Sequence, residues 1–173
     1  MAPARVRIRE AESTDAESIT DVHAASIREL GPAAYDAEQV RAWLSNVPPE
    51  GYPLEDPDHH VVVAESEDGD DDRIVGFGLL DYDPDGSDDS TGEIGAVYVH
   101  PAHVREGVGR AILAALESAA SDAGLETLVL TASRNAIDFY RRQGYEGVET
   151  VSLEMEPGVG LECLRMRTVL QSP

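Results

Sequence analysis

The chain's apolar positions recur with two alternating periods. Val6–Arg9 alternates apolar and charged residues, as a half-buried strand does. Ser13, Thr14 and Asp15 are N-cap residue types, and Glu17 stands three places after Thr14, the spacing of a capping box. Ile19, Val22, His23, Ile27 and Leu30 then recur at helical spacing until Gly31-Pro32 ends the pattern. Asp36–Leu44 predicts a second helix with Val40, Trp43 and Leu44 on one face, and Pro48, Pro49, Gly51, Pro53 and Pro57 mark a long loop. His60–Ala64 and Ile74–Leu80 read as strands around a charged turn, Glu65–Asp72. A second acidic loop, Asp81–Gly92, leads into a strand, Glu93–Val99, that stops at His100-Pro101. Gly107–Ala123 is the strongest helix, with Ile112, Leu113 and Leu116 on its apolar face and Gly124 placed as a C-terminal cap. Leu125–Thr131 is a near-continuous apolar run of the kind buried on both faces. Asn135–Arg142 is a short helix closed by Gly144, and strands Glu149–Glu154 and Leu161–Leu170 flank the turn Pro157-Gly158. The order β-α-α-β-β-β-α-β-α-β-β, without internal repeat, predicts an α/β (α+β) fold: one domain over residues 1–173, with a mixed sheet flanked by helices.

Composition narrows the chemistry. A chain of 173 residues can bury a core without disulfides or metals. Its 13 cations, all Arg, stand against 34 carboxylates, for a net charge of −21. Without Lys there is no Schiff-base lysine, phosphate-loop lysine or lysine base. The negative charge argues against nucleic acid or an anionic membrane as partner. Cys163, the sole cysteine, excludes an intramolecular disulfide and a multi-thiolate zinc site. His59-His60 and His100/His103 lack accompanying ligands at metal spacing, so no metal is expected. No apolar run reaches the ~20 residues of a membrane helix. Met1–Glu10 carries Arg without an apolar stretch behind it, unlike a signal peptide, and the expectation is a cytoplasmic protein. Acidity combined with zero Lys suits a salt-saturated cytoplasm; codon bias on an ordinary acidic protein is the competing account.

The stretch Glu93–Tyr145 carries the chemistry. A strand, Pro101, a short charged link and then Gly107-Val108-Gly109 open the long helix. Glycines let the backbone approach a phosphate, and the first amides of a helix have no partner within it. The third glycine of a dinucleotide fingerprint is replaced by Ile112, which argues against a nicotinamide site. No Gly-x-Ser-x-Gly exists to support a serine hydrolase.

Glu93-Ile-Gly-Ala-Val-Tyr-Val-His-Pro101 followed by Val104-Arg-Glu-Gly-Val-Gly109 resembles the acyl-CoA-binding segment of the GNAT superfamily of N-acetyltransferases. Asn135-Ala-Ile-Asp-Phe-Tyr140 with Gly144-Tyr145 is similar to the family's second signature. One position departs: where the family usually has Gln or Arg, this chain has Val104, with Arg105 one place later. The resemblance implies about seven strands, about four helices, and two parallel strands splayed into an acyl-CoA cleft. It implies that the amides of Arg105, Glu106, Gly107, Val108, Gly109 and Arg110 hold the pyrophosphate of acetyl-CoA. The backbone around Val97, Tyr98 and Val99 would pair with the pantetheine arm, and the Val97 N–H would meet the thioester oxygen. Asn135 would bond the pantetheine, and Tyr140 would lie near the sulfur.

The implied reaction is direct transfer of acetyl from acetyl-CoA to a primary amine, on a small molecule or a protein N-terminus. Glu93 is the candidate base, Tyr140 the candidate acid and Tyr35 a candidate acceptor contact; a homodimer is also implied. A catalytically silent acyl-CoA-binding module on the same fold is the alternative. Other readings stay open residue by residue: Glu93 as a solvated strand-start carboxylate, Tyr140 as a core tyrosine, Asn135 as a helix N-cap, Tyr35 as core.

Overall fold

The computed structural model describes residues 5–47, 52–67 and 73–170. Parts of three expected features lie outside these residues: the start of the Met1–Glu10 segment, Pro48, Pro49 and Gly51 of the loop, and the end of the Glu65–Asp72 turn. The described residues form seven strands and four α-helices. These are β1 (Val6–Glu10), α1 (Ala16–Leu30), α2 (Ala37–Leu44), β2 (His59–Ser66), β3 (Arg73–Asp81), β4 (Thr91–Val99), α3 (Val108–Asp122), β5 (Thr127–Ser133), α4 (Ile137–Arg142), β6 (Glu146–Glu156) and β7 (Val159–Val169). The sheet order is β1-β2-β3-β4-β5-β7-β6. Every pairing is antiparallel except β4 with β5.

Two apolar layers sandwich this sheet. On one face, Ile112, Leu113 and Leu116 of α3 pack with Val62, Leu80, Leu128 and Met166. Each such side chain removed from water contributes roughly 1.5–3 kcal/mol. On the other face, Ile19 and Val22 of α1 pack with Val61, Val63 and Phe77, while Ile27, Val40 and Trp43 pack with Leu161 and Cys163 of β7. Helix α3 lies unusually close to β3 because Gly76 and Gly78 present no side chain. A Cβ at Gly78 would stand 2.5 Å from Ile112 Cγ2 and 2.9 Å from Leu116 Cδ1.

Three local expectations are corrected. Helix α1 is not opened by a Thr14/Glu17 box; Ser13–Asp15 forms a 3-10 turn instead. There the Asp15 carboxylate accepts from the Glu12 amide at 2.7 Å and is gripped by Arg9 at 2.8 and 3.0 Å. The Asn135–Arg142 helix is split into a 3-10 turn, Arg134–Ala136, and the six-residue α4, so Asn135 is not its N-cap. Strands β6 and β7 are each 11 residues long, well beyond Glu149–Glu154, because their pairing continues to the Pro157-Gly158 turn, where Gly158 has φ +81°. Among the described residues, no helix is long and apolar enough to cross a membrane.

Candidate active site

The site originates in how β4 parts from β5. The two pair only from Thr91/Thr127 to Ile94/Leu130, yet β4 runs on to Val99 and β5 to Ser133. At the parting point β4 bulges. Leu80 faces Ile94 but Leu79 faces Ala96, which leaves Gly95 as the extra residue. A side chain there would press on Leu79, whose Cδ2 would lie 2.9 Å away.

The bulge also switches which residues face which layer. Ile94 before it and Val97 and Val99 after it pack toward α3. Ala96 and Tyr98 pack toward α1. By alternation Glu93, beside Ile94, shares the α1 face with Ala96 and Tyr98. Backbone direction follows similarly. The His100 amide donates to Val75 O at 2.8 Å, so positions 100 and 98 bond toward β3. The N–H and C=O of Val97 and Val99 therefore point into the gap left by β5.

A cleft of about 850 Å³ fills this gap. Its α3-side wall includes Val97, Val99, Val108, Gly109, Asn135, Phe139 and Tyr140. At its charged end the chain turns through two left-handed residues, Arg105 at φ +64° and Gly107 at φ +85°, before α3 begins. Ala111 N is the first amide to find an acceptor within this turn of helix, at Gly107 O (3.1 Å). Val108, Gly109 and Arg110 amides lie in the turn before it, where no helical carbonyl can reach them. Arg105, Arg110 and Arg142 line the same cleft. That donor chemistry, peptide N–H groups plus three guanidiniums in a chain of −21, fits a polyanionic cofactor.

Glu93 is not a free carboxylate. Arg165 of β7 donates to it at 2.9 Å and 3.5 Å, and donates also to Thr131 Oγ1 at 2.9 Å. Glu93 and Thr131 line the cleft. Tyr140 is buried beneath it, with its ring centroid 5.1 Å from Phe139 and 5.7 Å from Tyr145. Burial pushes its phenol above the ordinary tyrosine value, so the group keeps its proton.

The cleft therefore gathers Glu93, Val97, Tyr98, Val99, Arg105, Gly107, Val108, Gly109, Arg110, Asn135 and Tyr140. It does not gather Tyr35 or the Glu106 side chain. Tyr35 is buried outside the cleft. Its hydroxyl donates to Glu162 O at 2.7 Å and accepts from the Arg134 amide at 3.0 Å, and the Arg134 guanidinium lies 4.7 Å over its ring. The tyrosine ties α2 to β7 rather than meeting an acceptor. Glu106 turns to His103, 3.1 Å away.

On the α1 side the cleft has a second arm, lined in part by Trp43 and Tyr52 of the segment where the family resemblance places the acceptor, and by His23 and Phe77, which the sequence shows only as positions of a helix and a strand. His23, Tyr52, Phe77 and Tyr98 line it with their rings. His23 Nδ1 and the Tyr52 hydroxyl are 3.1 Å apart, and the His23 ring centroid lies 4.3 Å from that of Tyr98. Burial pushes the His23 imidazole down to about 4, so it is neutral near pH 7.

Residues 18–145 match the model of the acetyltransferase (GNAT) family. The uncharacterized N-acetyltransferase YjcF of Bacillus subtilis is 34% identical over 119 residues, which span 68% of this chain and 78% of the relative. A crystallised GCN5-related N-acetyltransferase from Rhodopseudomonas palustris superposes with a TM-score of 0.82 at 26% identity, over 98% of this chain and 99% of that one. The PaiA N-acetyltransferase of Thermoplasma acidophilum, solved in complex with coenzyme A, shares the fold with a TM-score of 0.71 at 19% identity, over 95% and 99% of the two chains.

Proposed function

The chain belongs to the acetyltransferase (GNAT) family, and on that premise we propose that it moves an acetyl group from acetyl-CoA directly to a primary amine. The observation that carries this reading is the gap beyond Ile94 and Leu130. Unspent backbone groups of Val97 and Val99 face it, and it leads to the arginine-lined start of α3. Bound there, acetyl-CoA supplies an activated acetyl thioester.

The chain's own residues divide the remaining work. Amides from Arg105 to Arg110, with the guanidiniums of Arg105, Arg110 and Arg142, hold the phosphates. Val97 and Val99 complete their hydrogen bonds with the pantetheine amides, as a neighbouring strand would, and the exposed Asn135 reaches the same arm. The Val97 N–H stabilises charge building on the carbonyl oxygen.

An alkylamine with a pKa near ~10 is protonated at pH 7 and cannot attack. Glu93, oriented by Arg165, takes its proton directly or through water, a step worth about 10²–10⁴-fold. The neutral nitrogen bonds the carbonyl carbon and releases its second proton to water, the carbon–sulfur bond breaks, and the Tyr140 phenol gives the departing sulfur its proton. That proton is then restored from water. No acyl-enzyme is needed, and buried Cys163 takes no part.

The same reading treats residues 1–173 as one acetyltransferase domain and places the protein in a salt-rich cytoplasm, in keeping with its −21 charge and absence of Lys. The test is thiol release from acetyl-CoA with an amine panel in molar KCl, beside calorimetric CoA binding. Glu93→Gln is expected to lower kcat/KM by about 10²-fold or more, and Tyr140→Phe by about 10-fold or more, each with CoA affinity within about twofold of the parent. Undetectable CoA binding by the parent protein would overturn the reading.

A further inference from the structure

The arm of the cleft on the α1 face identifies a class of acceptor; the inference rests on the transferase reading above. The sequence holds 34 carboxylates, yet Glu93 is the single one among the described residues lining the cleft, and it is already paired with Arg165. The guanidiniums that line the cleft, Arg105, Arg110 and Arg142, lie on the α3 and α4 side with the phosphate site. The arm itself therefore carries no fixed charge beyond Glu93 among the described residues, and the imidazole within it is neutral.

A polyamine or an aminoglycoside-like compound brings several ammonium groups, each needing a carboxylate on entering a cavity. Only one is offered among the described residues. An α-amino acid brings a carboxylate that needs a cation, and among the described residues none lines the arm, the nearby Arg165 being already held by Glu93 and Thr131. A polypeptide N-terminus brings peptide N–H and C=O groups that need partners. The arm's polar atoms are largely engaged with one another. His23 Nδ1 faces the Tyr52 hydroxyl at 3.1 Å, and Asn46 Nδ2 donates to Ala42 O at 2.9 Å and Met155 O at 2.7 Å.

What the arm does offer is ring surface. Phe77 and Tyr98 stack with centroids 5.6 Å apart and planes 20° apart, and Tyr52 meets Phe77 edge-on at 5.6 Å. Aromatic walls of this kind hold a planar apolar body through burial and quadrupole contacts, and draw in an ammonium before it is deprotonated. We propose that the acceptor is a small arylalkylamine: one primary amine on a short alkyl chain, an aromatic ring at the far end, and no second charge. The ring lies against the part-exposed edges of His23, Tyr52 and Tyr98, with buried Phe77 packed behind them, and the amine is left on the face that bears Glu93. The ammonium gives one proton to Glu93, the freed nitrogen bonds the acetyl carbon and releases its second proton to water as the carbon–sulfur bond breaks, and coenzyme A departs as the thiol with a proton from Tyr140, leaving the neutral amide.

The experiment is thiol release by the intact protein with acetyl-CoA in molar KCl. The amines are phenethylamine, tryptamine, spermidine, kanamycin, free leucine and a leucine-initiated tripeptide. Phenethylamine or tryptamine is expected to exceed every other amine at least tenfold in kcat/KM. A second variant guards the result. Leu153 lines the cleft and is 39% exposed, so Leu153→Glu preserves the fold while adding a carboxylate. It is expected to shift the phenethylamine-to-spermidine ratio at least tenfold toward spermidine. Spermidine, kanamycin, leucine or the tripeptide reacting as well as the arylalkylamines overturns this inference and leaves the transferase standing. Absence of turnover with every amine overturns both.

Discussion

At the scale of single residues, the pair Glu93–Arg165 controls the proposed chemistry. Arg165 Nη1 also donates to Thr131, so its guanidinium has a second anchor besides the carboxylate. Arg165→Gln is expected to leave Glu93 without a two-point hold and to lower kcat about tenfold, with KM for acetyl-CoA unchanged. Arg165→Lys should recover only part of the loss, since one ammonium cannot reproduce the fork. Steady-state kinetics on both variants check this. The partnership was not legible in the sequence because its members lie 72 positions apart and meet only through the order β4-β5-β7. Tyr35 marks the converse limit. An aromatic residue between two helices can face a cleft or a core, and only packing shows that its hydroxyl is spent on Glu162 and Arg134. In the sequence His23 is one position of a helical stripe, and burial gives it a measurable consequence. Its folded value of about 4 lies below the 6.5 of the free side chain, so between these values the unfolded chain binds more protons. Stability from this group is therefore present above pH 6.5 and is lost as pH falls toward 4, by up to about 3 kcal/mol. Asp15 and Glu65, held below the ordinary carboxylate range by Arg9, lose their contribution in the same direction at lower pH. In His23→Gln, urea melts should show a flatter decline between pH 6.5 and 4 than in the parent.

At the scale of elements, periodicity located every strand and helix but could not locate interruptions of the period. The bulge at Gly95 shifts side-chain parity by one within a segment that reads as continuous strand, and it is this shift that turns Val97 and Val99 toward α3 while leaving Tyr98 with α1. The glycine pair of β3 was visible as composition without its meaning. Gly76 and Gly78 are the surface on which Ile112 and Leu116 rest, and those contacts fix how close α3, with its phosphate-facing start, stands to β4. Gly78→Ala places a methyl 2.5 Å from Ile112 Cγ2, in a layer where Ile112 and Leu116 are both fully buried and have no free space to yield. The expected cost is about 1–3 kcal/mol in urea-melt stability at unchanged m-value, with weaker CoA binding as α3 lifts from the sheet. Unchanged stability would mean that the α3–β3 contact is looser than its distances indicate.

At the scale of the whole molecule, charge and core obey separate rules. The two apolar layers are ordinary in composition, and the ion pairs that involve buried carboxylates, Arg9 with Asp15 and both Arg7 and Arg9 with Glu65, are all made by arginines of β1. Thirteen arginines can neutralise at most 13 of the 34 carboxylates, leaving 34 − 13 = 21 negative charges without a cation anywhere in the chain. Their mutual repulsion acts through solvent and over distance, so it is the component that salt removes. The Debye length falls from ~10 Å at 0.1 M to ~3 Å at 1 M, below the spacing of most surface charges. The partly buried Arg9 pairs are screened far less, so the stabilising and destabilising electrostatics do not cancel as salt rises. The melting temperature is therefore expected to climb by about 10 °C between 0.1 and 2 M KCl, equivalent to roughly 3–5 kcal/mol for a chain of this size. Most of the gain should fall below 1 M, where the screening length changes fastest. Sucrose acts by exclusion from the surface rather than by screening, and should give a smaller rise without that saturation. Calorimetric scans across a KCl series distinguish the two forms. A melting temperature indifferent to KCl would show that the acid excess is too widely spaced to strain the fold, and would remove the physical reason for assigning this enzyme to a salt-rich cytoplasm.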